Sequence, residues 1–120
     1  MQVLIVESTA ELAQLWQRHL ERQGVAVTLS ATGENACDLI AAHAFDVIIL
    51  DLVLTEGSAI AVADYAQYRR PEANIIFVTD TTFFSDGSIF SVIPNVRAFV
   101  RTHTPPEDLA AMVEHYGRAA

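Results

Sequence analysis

Short apolar runs alternate along this chain with segments whose apolar residues recur every three or four positions, the signatures of strand and amphipathic helix. Gln2 to Val6 reads as a first strand. From Glu11 to Gln23, Leu12, Leu15, Trp16 and Leu20 share one helical face, and Gly24 stands where a helix stops. A second strand runs from Val25 to Leu29, and Thr32-Gly33 introduces a helix reaching about His43. The central strand, Asp46 to Leu50, closes on Asp51, and an Ala-rich helix from about Ser58 to Tyr68 ends before Pro71. Strands follow at Asn74 to Val78 and Val96 to Val100. Leu109, Met112, Val113 and Tyr116 mark the inner face of a last helix. Thr104-Pro105-Pro106-Glu107 opens it, read as an N-cap Thr, prolines tolerated in the first turn and a glutamate completing a capping box. Between Thr81 and Pro94, Ser85-Asp86-Gly87-Ser88 interrupts the pattern with poor helix formers, so a short or irregular helix is expected there.

The run Phe45-Asp46-Val47-Ile48-Ile49-Leu50-Asp51 is too uniformly apolar for a strand with one wet face. It suits a strand covered on both sides. Five strands alternating with five helical segments imply an α/β, doubly wound parallel sheet with right-handed crossovers, in the order 2-1-3-4-5. In that order the strand sequence reverses beside strand 1, and ligands gather outside the carboxyl ends of strands 1 and 3. Those ends carry Glu7-Ser8 and Asp51.

Composition narrows the functions. A length of 120 residues, 52% of them hydrophobic and 18% charged, fits one globular domain over 1–120. All seven basic residues are arginine, so no mechanism can draw a lysine from this chain. A net charge of −8, with no basic cluster beyond Arg69-Arg70, argues against nucleic acid and anionic membrane as partners and leaves proteins. The single Cys37 cannot form an internal disulfide, and no leader or membrane-length apolar run is present; a cytoplasmic location is expected. His19, His43, His103 and His115 show no metal-ligand spacing, and no glycine-rich nucleotide loop occurs.

Across nearly its whole length the sequence resembles the receiver domain of bacterial two-component response regulators, which has the flavodoxin-like receiver fold. Val3-Leu4-Ile5-Val6-Glu7-Ser8 is similar to the family's first strand with its acidic pair. Asp51-Leu52-Val53-Leu54-Thr55-Glu56-Gly57-Ser58-Ala59 is similar to its phosphoacceptor segment. Ile75-Ile76-Phe77-Val78-Thr79 resembles the fourth strand with its switch hydroxyl, and Ala98-Phe99-Val100 through Pro106-Glu107-Asp108-Leu109 aligns without a gap onto the fifth strand and the start of the last helix. The resemblance implies Asp51 as phosphoacceptor, Glu7 and Ser8 as the acidic pocket, Thr79 and Phe99 as the switch pair, and Mg²⁺ at Glu7, Asp51 and Val53. It implies phosphoryl transfer from a histidine kinase or phosphotransfer protein, a downstream protein target, and homodimerisation through the fourth helix, fifth strand and fifth helix.

The departures from that pattern fall on the chemistry. Ser8 replaces the second acidic residue, so Mg²⁺ loses an anionic ligand and is expected to bind weakly; with Glu11 three residues on, Ser8 reads instead as a capping box for the first helix. Thr102 falls where the family has its lysine and His103 where it has proline. A register slid by one residue would put Arg101 at the lysine position. The Thr102-His103 bond is expected trans, because a non-proline cis bond costs about 3 kcal/mol. Asp80 puts a carboxylate after the switch Thr, where it would add charge near the pocket or cap the next turn. Thr55 and Ala59 replace the family's proline and glycine.

Three readings follow. The first is a signalling receiver, not an enzyme, whose Asp51 is an impaired phosphoacceptor and which acts through protein contacts. The second is a pseudo-receiver, a scaffold or adaptor that no longer depends on phosphate, with Phe83, Phe84 and Phe90 contributing an apolar partner surface. The third, a phosphotransfer enzyme of the haloacid dehalogenase type, would want an aspartate where Val53 stands and a lysine.

Overall fold

The structure is a computed structural model, which describes residues 1–80 and 93–117. Strands β1 (Gln2–Val6), β2 (Ala26–Ser30), β3 (Val47–Asp51), β4 (Asn74–Val78) and β5 (Val96–Val100) form one sheet in the order β2-β1-β3-β4-β5, every pairing parallel. Helices α1 (Ala10–Arg22), α2 (Gly33–Ala42), α3 (Ala59–Arg69) and α4 (Pro106–Gly117) cover it. The expected strand order is therefore the observed one. Most of the expected irregular helix and Phe83, Phe84 and Phe90 lie outside the described residues.

Side chains alternate across the pleat, and both faces are dry. Leu4, Val6, Ile48, Leu50, Ile75 and Phe77 pack with Ala36, Ile40, Val62, Ala63 and Ala66 of α2 and α3. Val3, Ile5, Val47, Ile49, Ile76 and Val78 pack with Ala13, Trp16 and Leu20 of α1 and Leu109, Ala110 and Val113 of α4. This accounts for the unbroken apolar runs of β1, β3 and β4. On β5 the register slips: Ile75 pairs with Val96 but Ile76 with Ala98. The extra residue, Arg97, bulges outward, and the slip sends Phe99 to the α2/α3 face, where it stacks on Phe77 with centroids 5.4 Å apart.

Helix ends follow local chemistry with two corrections. Gly24, at φ 83°, ends α1: its N–H donates to Glu21 and that of Val25 to Leu20, a Schellman pair. Thr32 and Ser58 cap α2 and α3 by accepting the amides of Asn35 and Ala61. The capping box expected of Ser8 does not form. Thr9 is the N-cap of α1, and Ser8 is bonded elsewhere. Nor does Thr104 cap α4. The Pro105 carbonyl accepts the amides of Asp108 and Leu109, and Pro106 is the first helical residue. A residue before proline is pushed out of the α region, so Pro105, ahead of Pro106, takes the extended cap position itself.

Arg69 and Arg70 have a structural use. Arg70 donates from Nε to the Ile40 carbonyl (3.0 Å) and from Nη2 to Ala41 (3.2 Å), and Arg69 donates to Ala41 (3.3 Å). The pair closes the C-terminus of α2, where carbonyls lack partners and a positive charge is favoured.

Candidate functional site

The carboxyl ends of β1, β3, β4 and β5 open on one cleft of about 630 Å³. The ladder runs one residue past the strands: Glu7 donates its amide to Ser30, Leu52 to Val78 and Thr79 to Val100. Asp51, Thr79 and Thr102 are thereby brought to one rim by strands that are not neighbours in sequence. Carboxylates of Asp51 and Asp80, hydroxyls of Ser8, Thr9, Thr55, Thr79 and Thr102, and Val53 line the cleft. Among the described residues no arginine lines it. Arg101 is exposed and stands outside the lining, while Thr102 is in it.

Asp51 is half-buried at the last position of β3, and its Oδ1 accepts the Val53 amide at 2.9 Å. Glu7 lies beside it, 3% exposed. Glu7 Oε1 accepts the Thr9 amide (3.0 Å), whereas Oε2 is buried without a partner. Burial, and then the neighbouring Asp51 carboxyl, push Glu7 from its ordinary 4.5 up to about 8, against the opposing pull of the Thr9 amide. With no cation between the two carboxyls, Glu7 therefore favours its protonated form near neutral pH.

Two adjacent carboxyls, one with an orphaned oxygen, are a donor set that fits a single hard divalent cation. Glu7 and Asp51 would hold it, and its chemistry would be to neutralise charge on a phosphoryl oxygen. Ser8 offers little. Its hydroxyl donates to the Ala31 carbonyl (3.2 Å) and accepts the Thr55 amide (3.0 Å). Val53 lines the cleft but carries a side chain 70% exposed. No group of three His, Cys, Asp or Glu among the described residues is placed to share a metal.

The far rim is acidic. Asp80 Oδ1 accepts the Thr102 amide (3.2 Å), and Oδ2 lies 3.8 Å from Nε2 of the exposed His103. Asp80 so ties the end of β4 to the loop after β5. No cis peptide occurs among the described residues, which includes the Thr102-His103 bond. Thr79 is buried beneath the rim and Phe99 is packed on Phe77. The bonds from Ser8 to Ala31 and Thr55, and from Glu7 to Thr9, were not anticipated; the first two span 23 and 47 residues and leave no local pattern.

Comparison with known proteins places the chain in a family and a fold. The family model described as response regulator receiver domain matches residues 3–113. Regulatory protein LuxO of Vibrio vulnificus (strain YJ016) is 30% identical over 93 residues, covering 78% of this chain and 19% of LuxO. The chain thus spans about a fifth of that relative's length. A CheY-like receiver domain protein from Methanospirillum hungatei JF-1 superposes with a TM-score of 0.87 at 22% identity, over 97% of this chain and 92% of that one. The response regulator protein TrrA of Thermotoga maritima, solved in complex with Mg²⁺-BeF, gives a TM-score of 0.83 at 19% identity over 96% and 97% of the two chains. No described helix is long and apolar enough to cross a membrane. With the sheet order, the strand-end carboxylates and the family match in agreement, the chain belongs to the response regulator receiver domain family, a family of signal-transduction domains.

Proposed function

We propose that residues 1–120 form one atypical receiver domain in which Asp51 is a slow phosphoacceptor and the output is a protein contact. The observation that carries this reading is a strand-end carboxylate opening on a cleft that no described basic residue lines. Asp51 keeps one oxygen bonded to the Val53 amide, which orients the other as a nucleophile. In the transfer, that oxygen bonds to phosphorus as the bond to the donor's leaving group breaks, and the leaving group departs with the electron pair. Three features slow this step. Thr102 can offer a neutral hydrogen bond in place of a lysine's charge, Ser8 withholds a metal ligand, and Asp80 sets a second carboxylate on the rim.

The donor is a histidine kinase or phosphotransfer protein, Mg²⁺ assists weakly through Glu7 and Asp51, and Thr79 and Phe99 relay the new charge toward β5 and α4. The face including β5 and α4 then meets a protein target or a second copy. A cytoplasmic setting fits a domain of this kind. The pseudo-receiver reading draws on one observation, the Asp80-to-Thr102 bond, which supplies an internal anion at the cleft without any phosphate.

Intact mass after incubation with Mg²⁺ and a small phosphodonor tests the proposal. The parent is expected to gain one phosphoryl group slowly and Asp51→Ala none. A folded parent that gains nothing overturns it in favour of the pseudo-receiver.

A further inference from the structure

Beyond Leu52 and Val53, which bond to the strands, backbone atoms of the loop leading to α3 meet the rest of the fold at Thr55, Glu56 and Gly57. The Thr55 amide donates to Ser8 Oγ, the Gly33 amide donates to the Glu56 carbonyl (3.0 Å), and Gly57, at φ 95°, lies so close to Gly33 that a Cβ on Gly57 would stand 3.0 Å from its backbone. Two of these fastenings lead to the start of α2. The third leads to Ser8, and it depends on a hydroxyl in particular. Ser8 accepts from Thr55 and in the same place donates to the Ala31 carbonyl, so one Oγ joins the segments that follow β1, β2 and β3.

An ionised carboxylate could accept the Thr55 amide but has no proton for the Ala31 carbonyl. Two oxygens would then face each other, an arrangement that a cation between or beside them relieves. A hydroxyl needs no such ion. The same replacement that removes an anionic metal ligand therefore supplies an internal bridge.

We propose that Ser8 is a positioning residue that holds the loop after Asp51 in its observed form without a metal ion, by bridging the Ala31 carbonyl and the Thr55 amide. The proposal deepens the receiver reading above, because the loop it holds is the one that follows the phosphoacceptor. Its test does not need phosphoryl transfer.

Residue-resolved amide hydrogen exchange on the full chain, in chelator and then in Mg²⁺, would be compared for the parent, Ser8→Ala, Ser8→Thr and Ser8→Asp. In the parent the Thr55 amide is expected to be protected in chelator and to change less than about twofold on adding Mg²⁺. Loss of one hydrogen bond in Ser8→Ala should speed its exchange about fivefold, with the amides of Val3 to Val6 unaffected. Ser8→Thr should restore protection, and Ser8→Asp should show protection only when Mg²⁺ is present. A Thr55 amide that exchanges alike in parent and Ser8→Ala, or that needs Mg²⁺ in the parent, overturns the inference. Should Ser8→Ala fail to fold, the parent and Ser8→Thr against Ser8→Asp, each in chelator, decide it: equal Thr55 protection in all three overturns the inference. Failure of Asp51 to take phosphate, with Thr55 protected in chelator, would count against the proposed function and leave this inference standing.

Discussion

Glu7 is the residue with the most legible energetic consequence. Its carboxyl is held near 8 in the folded chain against an ordinary 4.5, so between those values the folded state binds a proton that the unfolded state has released. The associated stability is complete below about 4.5 and is lost as pH rises through about 8. The unfolding free energy from urea titration in metal-free buffer should therefore fall between pH 5 and pH 8, by at most about 1.4 kcal/mol per pH unit from this group. Glu7→Gln should flatten the slope; an unchanged slope in that variant would show that burial does not hold the proton on Glu7. Asp80 makes a second prediction. Asp80→Asn keeps an oxygen for the Thr102 amide but removes the rim's charge, and for a screened, half-exposed group a gain of about threefold in phosphoryl uptake is expected. Uptake no faster than the parent's would remove Asp80 from the list of impediments. At this scale the strand-end placement of Asp51 and Glu7 was legible in the sequence, since such carboxylates interrupt apolar runs. Ser8 was legible as a lost ligand but misread as a cap: Ser-x-x-Glu is a capping pattern, and the partners that won its hydroxyl, Ala31 and Thr55, are 23 and 47 residues away.

Elements show the same division between local and distant causes. β4 and β5 were bounded correctly from their apolar runs, and the stop at Gly24 follows from a left-handed backbone that glycine adopts without strain. The start of α4 was misplaced by a residue because two prolines each constrain the residue before them, which overrides the capping pattern of Thr104 and Glu107. The bulge at Arg97 carries no sequence signal at all, yet it decides which face Phe99 serves. The loop joining β3 to α3 is the element on which the site depends, and Gly57 is its tightest point. Gly57→Ala would force a Cβ into a positive-φ position and within 3.0 Å of the Gly33 backbone. A loss of about 1–3 kcal/mol in unfolding free energy is expected from strain of this kind. A thermal midpoint within a degree of the parent's would mean that the loop yields easily and does not fasten α2.

For the whole molecule, the two-sided core explains why the fold could be read so fully. When both faces of a parallel sheet are buried, its strands become continuous apolar runs, and the crossover rules then leave few orders to choose from. The site was read less fully because it is assembled where four chain segments meet, and residue type alone does not say which of them bond. The charge of −8 and the absence of lysine act at this scale too. Among the described residues the cleft lining holds no lysine or arginine to meet a phosphoryl group, while Arg69 and Arg70 are spent on the end of α2. Under the proposed function, the machinery for phosphoryl transfer is present but short of positive charge. The most direct test is the initial rate of phosphoryl gain, followed by intact mass at saturating Mg²⁺ and phosphodonor, in the parent and in Thr102→Lys. A charge-assisted contact in place of a neutral one should raise the rate about tenfold above a slow but measurable parent. Equal rates in the two would contradict the claim that missing charge limits this receiver.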